Sequence, residues 1–283
     1  MSNGPAGHVA RATTVCPHSE TPETSSSARL RTFLQAADGV RIDAVHERGE
    51  VVYDTLMPSS GRTVFVVAHG FTGDVDKPHV RRIARVFARY GAVVTFSFRG
   101  HGASGGRSTV GDREVLDLAA AVDWARERGH GRVVTVGFSM GGSVVLRHAA
   151  LYPGRSAAVV SVSAPARWYY RGTAPMRRLH WLVTRPEGRL VGRYGLRTRI
   201  QQGGWDPVPL SPVEAVPRIA PTPLLIVHGD RDGYFPVDHP RMLACAAGDH
   251  GELWLEPGMG HAEHAADDAL LARIGGWAVG GAG

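Results

Sequence analysis

Gly137-Phe138-Ser139-Met140-Gly141 is the stretch that decides how this chain is read. It follows an apolar strand candidate, Arg132 to Val136, and runs into a helix candidate carrying Val144, Val145, Ala149 and Leu151. In a chain with 36 glycines the pattern Gly-x-Ser-x-Gly is weak by itself, and an ordinary turn would satisfy it. The strand before and the helix after change its weight. A serine on a tight strand-to-helix turn sits at a strained backbone position with its hydroxyl projecting from the sheet edge. Glycine on both sides avoids side-chain collisions there.

A serine hydroxyl is a poor nucleophile at neutral pH and needs a base, itself oriented by a third group. In a strand-turn-helix context these partners should follow the serine, acid before histidine, each on a loop after a later strand. The run Pro223 to Val227 is a buried-strand candidate and leads into His228-Gly229-Asp230-Arg231-Asp232-Gly233-Tyr234-Phe235-Pro236, a turn-rich loop with two carboxylates. The next strand candidate, Glu252 to Glu256, leads into Pro257-Gly258-Met259-Gly260-His261.

With these residues in place, the chain from roughly Phe33 to Trp277 resembles the α/β-hydrolase superfamily, close to its capped serine esterase, lipase and thioesterase-like branch. The resemblance implies Asp232 as the acid, three residues after the glycine of a His-Gly-x-x-Asp motif and four before Pro236. Asp230 is the alternative and would otherwise cap the loop. The family histidine maps to His261 in its Gly-x-Gly-His loop, and His264 falls on the surface of the following helix. Val64 to Gly73 resembles the family's apolar strand entering a His-Gly-x-x-Gly loop. That implies an oxyanion hole made by the backbone amides of Phe71 and Met140, with His69 and Gly70 shaping the loop. Phe96-Ser97-Phe98-Arg99-Gly100-His101-Gly102-Ala103-Ser104 resembles the family's Asp-x-Arg-Gly-His-Gly-x-Ser loop. Ser97 stands where an aspartate is common, so the hydrogen bonds of this loop must differ, and His101 reads as a turn residue.

The length and 43% hydrophobic content suit one large α/β domain with an insertion. An opening hairpin is expected across Asp38-Gly39, a pair that favours tight two-residue turns. Val80, Ile83, Ala84, Phe87 and Tyr90 make a helical stripe between Pro78 and Gly91. Val115, Leu118, Ala119, Val122 and Ala125 make another, with Asp117, Asp123, Glu127 and Arg128 turned outward. Leu270, Leu271, Ile274 and Trp277 form the last. Continuously apolar strands such as Val64 to Ala68 and Leu224 to Val227 predict a parallel sheet covered on both faces. The expected fold is α/β, doubly wound, with a mostly parallel sheet of about eight strands and a small cap after the sixth. Residues 31–166 and 217–283 would form the core and 167–216 the cap. Phe71, Ser139, Asp232 and His261 would then meet beyond the carboxyl ends of the strands.

Residues 1–30 are rich in Ser, Thr, Pro and Gly without apolar periodicity, as in a flexible extension. No secretory signal or bilayer-length apolar run is visible, which favours a cytoplasmic protein without a transmembrane segment. Cys16 and Cys245 are the only cysteines, which speaks against a structural disulfide. The 14 histidines are scattered rather than clustered with carboxylates or cysteines, so no catalytic metal is expected. A net charge of +6 spread over the chain, without a dense basic run, argues against a nucleic-acid partner. The cap segment holds Trp168, Tyr169, Tyr170, Trp181, Leu182, Tyr194 and Trp205, with Arg167, Arg171, Arg177, Arg178, Arg185, Arg189, Arg193, Arg197 and Arg199. The aromatics suit an apolar acyl pocket. The arginines suit either an anionic substrate or, since Lys77 is the sole lysine, the general positive surface.

These residues imply a serine hydrolase acting on a small-molecule ester or thioester through an acyl-enzyme, without a cofactor. The alternatives are an acyltransferase or cyclase using the same acyl-serine, or a non-catalytic receptor of the same fold. Epoxide hydrolases and haloalkane dehalogenases of this fold use an aspartate nucleophile, and the position here is serine. Acyl chain, leaving group and oligomeric state stay open.

Overall fold

A computed structural model describes residues 29–50 and 62–280. The expected extension over 1–30 and Cys16 lie outside the described residues, except that Leu30 already opens the first strand. Eight strands form one sheet: β1 Leu30–Gln35, β2 Arg41–Glu47, β3 Thr63–Ala68, β4 Ala92–Phe96, β5 Arg132–Phe138, β6 Ala158–Val162, β7 Leu224–Gly229 and β8 Gly251–Glu256. Their spatial order is β1-β2-β4-β3-β5-β6-β7-β8. β2 runs antiparallel to both neighbours, and the remaining pairs are parallel. Each central strand buries both of its faces, which is why its sequence is apolar without alternation.

Alternate residues separate into two cores. Val64, Val66, Val94 and Phe96 point to one face, where α2 (Glu114–Glu127) and α3 (Met140–Leu151) contribute Leu118, Val122, Val144 and Val145. Phe65, Val67, Val134 and Val136 point to the other, covered by α1 (Pro78–Phe87) and α9 (Asp268–Gly280) through Ile83, Phe87, Leu271 and Ile274. The Phe65 and Phe87 rings stack with centroids 4.9 Å apart. Between β6 and β7 the chain inserts α4 (Ala174–Thr184), α5 (Pro186–Gly195) and the single turn α6 (Pro212–Ala215). After β7 come α7 (Asp238–Ala247) and, beyond β8, the single turn α8 (Ala262–Ala265). Among the described residues no helix is long and apolar enough to cross a membrane.

Two local expectations are corrected. The opening hairpin pairs Gln35 with Arg41, so its loop spans residues 36–40 rather than two residues, closed by Ala36 N donating to Val40 O. Gly39 still supplies the positive φ of 81° that the turn requires. Asp117, expected on the outer face of α2, is fully buried. Its carboxylate accepts from Arg99 Nε and Nη2 and from the Arg99 amide, and Asp38 grips the same guanidinium from the other side. Helical periodicity alone cannot anticipate this, because the buried cation comes from a loop on another part of the chain.

Candidate active site

Strand β5 delivers Ser139 to the turn before α3 at φ 51° and ψ −113°, a positive φ that is costly for any residue but glycine. The flanking glycines are required by backbone rather than by side chains. A Cβ on Gly137 would collide with the carbonyl of Gly141, and one on Gly141 with the carbonyls of Ala68 and His69. The turn is thus wedged against the end of β3. Ser139 N donates to Val162 O at the end of β6, which ties it to the sheet as well.

Asp232 and His261, 93 and 122 residues further along the chain than Ser139, converge on its hydroxyl. Ser139 Oγ lies 2.9 Å from His261 Nε2, and His261 Nδ1 lies 2.7 Å from Asp232 Oδ2. The second oxygen of Asp232 accepts from the amides of Tyr234 and Phe235 at 2.8 and 3.1 Å. Burial by itself would raise the Asp232 pKa. The hydrogen bond and charge interaction with His261, with the two amides, outweigh it and hold the carboxyl below the ordinary aspartate value. An ionised Asp232 accepts the Nδ1 proton, which leaves Nε2 with its lone pair toward the serine. Tyr234 stacks on the imidazole at 4.2 Å and limits its rotation. Asp230 points elsewhere and caps the loop by accepting from Gly258 N. His264 is exposed, its ring tilted 60° against that of His79.

The loop after β3 presents the Phe71 amide, and the N-terminus of α3 presents that of Met140. Neither amide has a hydrogen-bond acceptor among the described residues, and both residues line the cavity above Ser139. The orientation of the Phe71 amide follows from its neighbours. Phe98 N donates to His69 Nε2 at 3.0 Å, so Nδ1 carries the ring proton and donates to Gly70 O at 2.7 Å. Gly73 N donates to the same carbonyl at 3.0 Å. In a trans peptide the C=O and N–H point in opposite directions, so clamping Gly70 O aims the Phe71 N–H away from His69. Burial also holds His69 well below the ordinary histidine pKa, in keeping with a neutral ring. His101 is fully buried with Nδ1 donating to Arg99 O, a turn role.

Three contributors to this site take roles that the sequence motifs do not specify. Glu263, 5% exposed, accepts from Gly70 N at 2.5 Å and ties the histidine loop to the Phe71 loop. Ser163 Oγ accepts from Ala262 N and braces the residue after His261. His228 sits behind Asp232, donating from Nε2 to Phe235 O, and burial lowers its pKa so that it stays neutral there. In the loop after β4, Ser97 Oγ accepts from Val75 N and Ser104 Oγ donates to Ser97 O, the altered bonding that serine in place of aspartate demanded.

Two cavities meet at Ser139. One, of about 380 Å³, is walled by Trp168, Tyr169, Tyr170, Trp205, Val183 and Ile200 and is mostly apolar. The other, of about 860 Å³, lies on the side of His261 and holds Thr72, His79, Arg177, Arg178, Trp181 and Glu263. Phe71, Met176, Leu179 and Phe235 border both. Tyr194 lines neither and is 74% exposed. Of the insertion's arginines, Arg167 and Arg189 reach the first cavity and Arg177 and Arg178 the second. Among the described residues no group of three or more His, Cys, Asp or Glu side chains is placed to hold a metal ion.

A parallel sheet with an antiparallel edge, a serine on a strand-to-helix elbow, and acid and histidine loops after the last two strands define one class: the chain has the α/β-hydrolase fold. The family description "alpha/beta hydrolase fold" matches residues 63–188. A monoacylglycerol lipase of Mycolicibacterium smegmatis is 28% identical over 274 residues, covering 83% of this chain and 91% of the lipase. An esterase of Pyrococcus furiosus superposes with a TM-score of 0.65 at 21% identity, covering 90% of this chain and 93% of the esterase. Est1E of Butyrivibrio proteoclasticus, solved with ferulic acid bound, gives a TM-score of 0.57 at 19% identity over 86% of this chain and 96% of its own. At such identities the two structural likenesses concern the fold.

Proposed function

We propose that the protein is a serine hydrolase of the esterase and lipase type that cleaves a carboxylic ester of an apolar acid through an acyl-enzyme. The observation that carries this is the unbroken chain of hydrogen bonds from Ser139 Oγ to His261 to Asp232, opening on a cavity walled by aromatic side chains. His261 Nε2 takes the hydroxyl proton as Ser139 Oγ attacks the acyl carbon, and Asp232 stabilises the imidazolium that forms. The amides of Phe71 and Met140 receive the oxyanion, each worth about 3 kcal/mol in the transition state. The proton on His261 then passes to the leaving alcohol. That alcohol must depart on the side of the imidazole, so the larger, more polar cavity beside His261 suits the alcohol and the aromatic cavity suits the acyl chain. Water entering by the same side, activated by His261, releases the acid.

The likeness to a monoacylglycerol lipase supports a small polyol as the alcohol. Thr72, Glu263, Arg177 and Arg178 on that wall offer hydrogen-bond partners of both kinds. In this reading residues 167–216 act as a cap over a core of 31–166 and 217–283. A second reading, transfer of the acyl group to an acceptor, draws on the size of the cavity on the histidine side, which has room for an alcohol acceptor in place of water.

The test compares wild type with Ser139→Ala on a panel of acyl esters and thioesters, with product analysis in the presence of glycerol. Hydrolysis predicts free acid, abolished by the substitution, and stoichiometric labelling of Ser139 by a fluorophosphonate. Full turnover by Ser139→Ala would overturn the mechanism, and acylated glycerol as main product would favour transfer.

A further inference from the structure

Helix α5 is built inside out. Its buried residues are Gly188 and Gly192, and a Cβ at Gly188 would stand 2.6 Å from Leu182 Cα and Trp181 O, so glycine is what allows α5 to lie so close to α4. The opposite face carries Leu190, Val191 and Tyr194 at helical spacing, and these are 57%, 49% and 74% exposed. A surface helix normally turns its apolar stripe to the core and its small or polar residues outward. Trp181 on α4 and Leu196 just after α5 extend the exposed apolar surface. Large apolar side chains exposed together on one hairpin of a folded chain mark a surface that is covered in use.

The charges around the patch say by what. Between residues 174 and 199 there are seven arginines and a single acid, Glu187. Arg178, Arg185, Arg193 and Arg197 are exposed beside the apolar face, and Arg193 lies over the Tyr194 ring at 5.4 Å. A second copy meeting this face by a two-fold axis would set arginine against arginine. A nucleic acid would satisfy the arginines but not Leu190 and Val191. An anionic bilayer takes both, with apolar side chains entering the acyl boundary and guanidinium groups reaching the phosphates. The same surface borders the mouth of the larger cavity, whose rim includes Trp181, Leu182, Leu196, Arg177 and Arg178.

We propose that the α4–α5 hairpin docks the protein on an anionic lipid surface, with Leu190, Val191 and Tyr194 inserted and Arg178, Arg185, Arg193 and Arg197 on the lipid phosphates. The cavity leading to Ser139 then opens onto the bilayer.

The test measures co-sedimentation of the full chain carrying Ser139→Ala with vesicles of phosphatidylcholine alone or mixed with phosphatidylglycerol. No turnover is involved, so a failure here leaves the ester reading standing. Binding is expected on the mixed vesicles, weakening as salt rises. Arg185→Gln with Arg193→Gln should lower the partition about twenty-fivefold, at roughly fivefold for each arginine. Leu190→Ser with Tyr194→Ser should remove the binding that survives high salt. With Ser139 restored, both double variants should hydrolyse a soluble short-chain ester as the parent does, which shows that they fold. Equal binding to both vesicle types, indifference to the substitutions, or a dimer that Leu190→Ser dissociates would overturn the proposal.

Discussion

Replacing Asp232 by asparagine reverses one hydrogen bond while leaving shape almost unchanged. In the native loop Asp232 Oδ1 accepts from the amides of Tyr234 and Phe235, and Oδ2 accepts from His261. An asparagine must keep its carbonyl on the two amides, since they can only donate. Its NH2 group is therefore forced toward His261 Nδ1. That nitrogen must then accept, the ring proton moves to Nε2, and the atom 2.9 Å from Ser139 Oγ no longer has a lone pair to act as base. Loss of the tautomer alone costs about 10⁴ in kcat, or about 5.4 kcal/mol at 1.36 kcal/mol per decade. The substrate cavities are untouched, so KM for a p-nitrophenyl ester should stay close to that of the parent. Fluorophosphonate labelling of Ser139 should slow in step with kcat. A Asp232→Asn protein that keeps more than a tenth of the parent's kcat would refute the orientation argument. So would a loss of activity that merely follows a loss of folded protein in the thermal melt.

Glu263→Ala should lower kcat by roughly tenfold and cost about 2 kcal/mol of stability, because the buried amide of Gly70 loses a charge-assisted partner. Glu263→Gln keeps an acceptor there, and steady-state kinetics should show most of kcat restored. Asp117→Ala leaves the Arg99 guanidinium buried with Asp38 as its remaining carboxylate, at a cost of about 3 to 5 kcal/mol in urea unfolding, with kcat per folded molecule unchanged. Burial carries Asp117 itself up to about 7, with the Arg99 bonds pulling the other way. His148, almost fully buried, is pushed down to about 4 by burial, while in the unfolded chain it titrates near its ordinary value of about 6.5. The unfolded state thus binds the proton first, and stability present above pH 6.5 is lost as the pH falls toward 4, by about 3 kcal/mol. His148→Leu should flatten that slope in unfolding curves taken across this range, and an unchanged slope would count against the burial effect.

Much of the framework is legible in the amino-acid sequence. The strand before Ser139, the helix after it, and the turn-rich loops holding Asp232 and His261 are local patterns, written in apolar runs and glycine spacing. Their physical cause is local as well: a buried parallel strand needs apolar residues on both faces, and a tight elbow needs glycine where backbones touch. Residues whose roles depend on partners far along the chain were hidden. Asp117 looked like a surface residue because only the fold brings Arg99 beneath it. Glu263 drew no notice in the sequence because Gly70, 193 residues away, supplies its reason for burial. The insertion's aromatics and arginines were visible as composition, yet their division into two cavity walls and an outward apolar face was not. Sequence by itself determined the order of strands and helices and the chemical types on each loop, since those follow from short-range periodicity. Tertiary structure alone decided which side chains meet, because a hydrogen bond depends on separation in space, which chain spacing does not encode once loops fold back.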